Sequence, residues 1–100
     1  MITSIANKTT QDIYDGISSK KDRKIPEFLH NKARRLMDQL ETAAELKDMK
    51  IPPGNNFEPL SGDLAGFFSV RINKQWRVIF KWDDQQKNAF DVYIDDYHKG

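Results

Sequence analysis

Hydrophobic positions along this chain follow a period of three to four in the first half and a period of two in the second. In "IPEFLHNKARRLMDQLETAAELKD" the apolar residues are Ile25, Phe28, Leu29, Ala33, Leu36, Met37, Leu40, Ala43, Ala44 and Leu46, which form one stripe of a long core-facing helix. Pro26 suits its first turn and "KIPPGNN" ends it, while His30 falls off the stripe and is expected on the surface without a chemical task. Upstream, "MITSIA" alternates weakly and predicts a short strand from Ile2 to Ala6. "TTQDIYDG" predicts a short helix with a Thr cap, Asp12 three positions after Thr9, and Gly16 as its stop. "SSKKDRK" is a polar connector. Beyond Asn56, "FEPL", "FFSVRI", "WRVIFKW" and "AFDVYIDD" read as strands, separated by "SGDLAG", "NKQ" and "DDQQKN". The expectation is one α+β domain over residues 1–100, in two layers: an N-terminal strand and two helices packed on a mostly antiparallel β-sheet.

Parity sharpens the sheet. Phe68, Val70 and Ile72 share a face, as do Trp76, Val78, Phe80 and Trp82, and then Phe90, Val92 and Ile94. Bringing them to a common core face requires residue 72 to oppose 76, with a loop of Asn73 to Gln75, because a one-residue slip would turn every side chain over. Phe80 is then expected opposite Val92. The opposite face follows: Arg71 across from Arg77, Arg77 across from Asp95, Lys81 across from Asp91, with Tyr97 continuing beside the arginines and Ser69, Ile79 and Tyr93 nearby. Two arginines directly opposite repel, so the pair needs a counter-charge from Asp95 or from a bound anion.

Charge changes the picture through its distribution more than its sum. The net charge is +1, yet residues 20–35 hold Lys20, Lys21, Arg23, Lys24, Lys32, Arg34 and Arg35 against Asp22 and Glu27. Residues 83–97 hold five aspartates against Lys87. A basic surface suited to nucleic acid thus coexists with an acidic end. With 38% apolar and 31% charged residues the chain reads as globular, and no stretch approaches the ~20 apolar residues of a membrane span. The absence of cysteine excludes disulfides and thiolate zinc sites, so a cytoplasmic location is the default expectation.

The candidate chemistry gathers at the C-terminal strand, "FDVYIDDYHKG". A histidine (His98) beside a tyrosine (Tyr97) and a carboxylate, facing Arg71 and Arg77, has the parts for cleaving RNA without a metal or other cofactor. A base takes the 2′-hydroxyl proton, an acid protonates the leaving 5′-oxygen, and guanidinium stabilises the charged phosphorane. Planar guanidinium holds phosphate bidentately, and an aromatic ring stacks on unpaired bases. A second set, Glu58, Asp96 and His98, could ligate a metal but has no recognised ligand spacing. No Ser-His-Asp set, phosphate-cradling glycine loop or dinucleotide fingerprint occurs.

"LSGDLAGFFSVRINKQWRVIF", the helix end "AAELKDM" and the terminal "DVYIDDYH" together resemble the HigB family of bacterial toxins, within the RelE/ParE superfamily. The resemblance spans almost the whole chain. It implies a RelE-like fold and a toxin that enters the ribosomal A site and cuts messenger RNA there. It also implies a HigA-type helix-turn-helix antitoxin as partner, with operator DNA bound only through the antitoxin complex. Carried over residue by residue, the family's terminal Asp-Tyr-His falls on Asp96, Tyr97 and His98, and the arginine after its tryptophan falls on Arg77. Lys74 and residues 20–35 are then expected to dock on ribosomal RNA by charge.

Two departures stand out: Glu58 replaces a histidine and Ser61 a lysine of the best-studied members' segment. Glu58 becomes the candidate second proton-transfer group, and the two losses suggest a weaker or differently selective nuclease. Two other readings stay open. One is a ParE-type toxin that inhibits a protein target such as DNA gyrase; the other is a degenerate member kept for regulation.

Overall fold

The computed structural model describes residues 1–17 and 25–96. Within them, α1 (Lys8–Asp15) and α2 (His30–Thr42) cover one face of a four-stranded antiparallel sheet. Its order is β1 (Glu58–Pro59), β2 (Phe68–Arg71), β3 (Trp76–Asp83), β4 (Asn88–Asp96). The core between the layers includes Ile13, Leu36, Met37 and Leu40 from the helices and Val70, Val78, Phe80 and Val92 from the sheet. This is the predicted α+β arrangement.

The N-terminal segment joins as two isolated parallel bridges to β4, Ile2 with Ala89 and Ile5 with Val92. It then leaves the sheet to enter α1. Asn7, not Thr9, caps that helix: its Oδ1 accepts the Thr10 N–H at 2.8 Å. Gly16, at φ 75°, closes it, and the Ile17 N–H donates to the Asp12 carbonyl at 2.8 Å. The buried Thr10 hydroxyl accepts the Ile94 N–H at 3.0 Å and fastens α1 to β4.

The long predicted helix is shorter than its apolar stripe. Residues 27–29 form a 3₁₀ turn, which sets Phe28 80% exposed and Leu29 inside. At the other end Ala43 is extended, and the Ala44 and Glu45 N–H groups donate to Asp48 Oδ2 at 3.1 and 3.0 Å. That reciprocal capping box starts a separate 3₁₀ segment, Leu46–Lys50, which buries Met49, while Ala43 is buried at the end of α2. Ala44 is exposed. His30 is half-buried, with Nε2 2.9 Å from the Ile25 carbonyl oxygen, so it braces the helix entry.

The β2–β3 register is the predicted one: Phe68 opposes Phe80, Val70 opposes Val78 and Arg71 opposes Arg77. Asn73 builds the turn, its Oδ1 accepting the Gln75 and Trp76 N–H groups at 2.8 and 2.7 Å. The β3–β4 register departs from expectation beyond Ile79–Tyr93. Opposite the single residue Phe80, β4 carries two, Asp91 and Val92, and the ladder resumes with Lys81–Phe90 and Trp82–Ala89. Asp91, at φ 52°, is the extra residue of this bulge. Lys81 therefore does not face Asp91, Phe90 is turned out of the core, and the fully buried Ala89 takes its place.

Candidate active site on the outer sheet face

The face of the sheet away from the helices is assembled by register alone. Glu58, Ser69, Ile79 and Tyr93 form one row across the four strands, and Arg71, Arg77 and Asp95 form the next. Alternation alone presents Ser69 and Ile79 on this surface; both are fully buried, so the face has a small packed layer of its own.

Arg77 is the best-held side chain on it. Its Nε–H donates to the Ser69 hydroxyl at 2.7 Å, an Nη2 hydrogen goes to the Asn56 carbonyl, and Nη2 lies 3.7 Å from Glu58 Oε1. Its side chain is only 12% exposed and that of Glu58 30%. Asn56 can aim its carbonyl this way because it sits in the left-handed region at φ 45°, a conformation asparagine tolerates. A guanidinium fixed through three directions loses little entropy on meeting a phosphate. The counter-charge required by the arginine pair thus comes from Glu58. Asp95, though opposite Arg77, is exposed, and its Oδ1 accepts the Asp96 N–H at 2.8 Å. Among the described residues Arg71 has no ion-pair partner, and it is half-buried beside Arg77.

The remaining predicted residues divide clearly. Asp96 opposes Trp76, on the helix-facing parity, and its Oδ2 accepts from Gln75 Nε2 at 3.1 Å. Glu58 and Asp96 therefore stand on opposite faces of the sheet and do not converge on one ion. Among the described residues no cluster of histidine and carboxylate groups fits a metal. Lys74 is exposed at the β2–β3 turn. Tyr97 and His98 lie outside the described residues, as do Lys20, Lys21, Arg23 and Lys24. Ser69 and the Asn56 carbonyl are the functional groups that sequence reasoning missed as anchors. Ser69 was detectable in principle, since it shares parity with Arg71 and lies diagonal to Arg77. A backbone carbonyl aimed by a left-handed residue leaves no such sign.

Tyr93, in the Ser69 row, has its hydroxyl pKa pushed above the usual tyrosine value, first by burial and then by the charge of Asp95. Its ring meets that of Phe67 edge-on, with centroids 6.2 Å apart.

The HigB-like toxin family, described as the RelE-like toxin of type II toxin–antitoxin system HigB, matches residues 4–98. The chain is 38% identical over 95 residues to Toxin HigB-1 of Vibrio cholerae serotype O1, covering 95% of this chain and 96% of that one. Among solved structures, a mutant of YafQ from E. coli superposes with a TM-score of 0.63 at 17% identity, covering 93% of this chain and 89% of that one. The YoeB dimer from Staphylococcus aureus gives 0.59 at 18% identity, covering 96% and 94%. The heterotetrameric YoeB–YefM toxin–antitoxin complex from the same organism gives 0.56 at 18%, covering 99% of each chain. At these identities the structural likeness speaks for the fold.

Proposed function

Because the chain belongs to the HigB-like family of RelE-like toxins of type II toxin–antitoxin systems, we propose that it is a ribosome-dependent messenger RNA endonuclease that blocks translation in the cytoplasm. The observation that carries this reading is the clamp on Arg77. A guanidinium held by Ser69 and the Asn56 carbonyl, with Glu58 against it and Arg71 across the ladder, is a phosphate site with a proton acceptor at its edge.

In this reading the scissile phosphate binds between Arg77 and Arg71. A base, Glu58 or His98, takes the 2′-hydroxyl proton, and the 2′-oxygen attacks phosphorus. The P–O5′ bond breaks as an acid returns a proton to the 5′-oxygen, leaving a 2′,3′-cyclic phosphate. The other member of that pair carries the complementary proton step, Tyr97 stacks on or orients the nucleotide, and Asp96 positions His98. Glu58 and the incoming phosphate share Arg77, so no metal is required to neutralise the phosphorane. Lys74 and the exposed Lys32 and Arg35 of α2 meet ribosomal RNA, which makes association strongly salt-dependent. A HigA-type antitoxin is the expected protein partner, and the structural likeness to a toxin from a toxin–antitoxin complex supports a partner of that kind.

The test is to map cut ends on one messenger, naked and on translating ribosomes, with EDTA added to the naked arm. Cuts confined to ribosomes, in register with codons, bearing cyclic phosphate and absent with His98→Ala are expected. Cuts on naked RNA that EDTA abolishes point to a metal set instead. No cutting in either arm sinks the nuclease and redirects attention to a protein target such as DNA gyrase.

A further inference from the structure

The outer face carries more than the arginine row needs. Four residues along β3 from Arg77, about 13 Å away at strand spacing, Lys81 stands between two aromatic rings. Its ammonium lies 4.8 Å from the Phe67 ring centroid and 5.9 Å from that of Phe90. Phe67 in turn meets Tyr93, which stands in the Ser69 row next to that of Arg77.

The bulge is what creates this group. With a regular ladder Phe90 would enter the core and Asp91 would face Lys81 as an ordinary cross-strand ion pair. The extra residue instead sends the Asp91 carboxylate toward Ser4, whose hydroxyl lies 3.4 Å from Asp91 Oδ1, and brings the Phe90 ring beside Lys81. Among the described residues no carboxylate pairs with Lys81. The left-handed Asp91 thus puts an aromatic ring where a neutralising charge would stand, on a face already carrying two arginines.

A cation flanked by half-buried rings matches the two parts of an unpaired nucleotide: phosphate for the ammonium, base for the rings. Resting on the nuclease reading above, we infer that Phe67, Lys81 and Phe90, with Tyr93, form a subsite for single-stranded RNA flanking the phosphate held at Arg77. The single strand would lie along β3, from the arginine row to the Lys81 row.

The probe is a fluorescein-labelled, fully 2′-O-methylated single-stranded oligonucleotide of mixed sequence, which has no 2′-hydroxyl to attack. Its affinity is measured by anisotropy across a salt series for wild type, Lys81→Gln, Phe90→Leu and the exposed control Lys47→Gln, with melting temperatures confirming the fold. Phe90→Leu keeps an apolar side chain but removes the ring face, and is expected to weaken binding about fivefold or more. Lys81→Gln is expected to weaken it and to reduce the salt slope by about one. Lys47→Gln should bind as wild type does. Wild-type affinity in both subsite variants, or no binding by wild type itself, overturns the subsite. Loss of antitoxin binding by the same variants with oligonucleotide affinity intact assigns the face to a protein contact and also overturns it. The two readings fail separately: intact oligonucleotide binding by the variants beside ribosomal cutting by wild type removes only the subsite. Weakened binding without any ribosomal cutting removes only the nuclease.

Discussion

Beside the Glu58 carboxylate, Arg77 owes its orientation to two groups without charge, the Ser69 hydroxyl and the Asn56 carbonyl. The Ser69 hydroxyl is fully buried, and removing it leaves the Arg77 Nε–H facing a small void. Ser69→Ala is expected to cost about 1–3 kcal/mol in urea unfolding, the usual penalty for orphaning a buried donor. Arg77→Lys keeps the charge but cannot reach Ser69, Asn56 and Glu58 together. On the proposed mechanism it lowers single-turnover cleavage on ribosomes about a hundredfold to a thousandfold, and a loss below tenfold would contradict Arg77 as the phosphate clamp. Two tyrosines mark the alkaline limit. Burial first, then Asp38 and Glu41, raises the Tyr14 pKa above 10.0, and burial with Asp95 does the same for Tyr93. A group whose folded pKa is raised contributes stability that is complete below its unfolded pKa and is lost as pH rises through the folded one. Melting temperature should therefore decline above about pH 10, and less steeply in Tyr14→Phe and Tyr93→Phe. An unchanged slope in both variants would assign the alkaline loss elsewhere.

The segments respond to local chemistry that a hydrophobic period does not contain. The apolar stripe from Ile25 to Leu46 is continuous, yet α2 occupies only His30–Thr42. The Glu45–Asp48 capping box outcompetes helix continuation, since it satisfies the N–H groups of Ala44 and Glu45 directly. The same kind of local choice fixes the β4 bulge. Asp91 tolerates φ 52° because its short polar side chain suits the left-handed region, and its N–H is taken by the Ser4 hydroxyl at 2.8 Å. Asp91→Val puts a β-branched residue there and should destabilise by roughly 2 kcal/mol or more, whereas Asp91→Gly should be close to neutral. Chemical denaturation of the two variants checks the sign. Equal stability would mean that the bulge relocates or vanishes on substitution.

As one body, the protein packs one face of its sheet into the core and, on the proposed mechanism, offers the other to RNA. Phe80 is the fully buried side chain through which the two uses meet, because it fills the core directly opposite the bulge that shapes the outer face. Phe80→Ala should cost about 3–5 kcal/mol, a large part of the ~5–15 kcal/mol typical of a domain. It should release the β3–β4 register as well, seen as loss of hydrogen-exchange protection along both strands. No helix among the described residues is long and apolar enough to cross a membrane.

Much of this was legible in the residues themselves. Two-residue alternation with the Asn73 turn set the β2–β3 register, which put Arg71 opposite Arg77, and the same alternation in β4 put Asp95 opposite Arg77. A slip of one residue would have exposed the whole core face, so the pattern admits a single solution. What alternation cannot encode is an interruption of itself. The Asp91 bulge, the parallel attachment of the N-terminal segment, and the choice of Glu58 over Asp95 as the partner of Arg77 depend on groups far apart in the chain. Ser4 meets Asp91 and Asn56 meets Arg77 only once the strands are paired. Periodicity is a property of neighbours along the backbone and settles which face a residue takes; contacts between distant segments settle which charge it meets there.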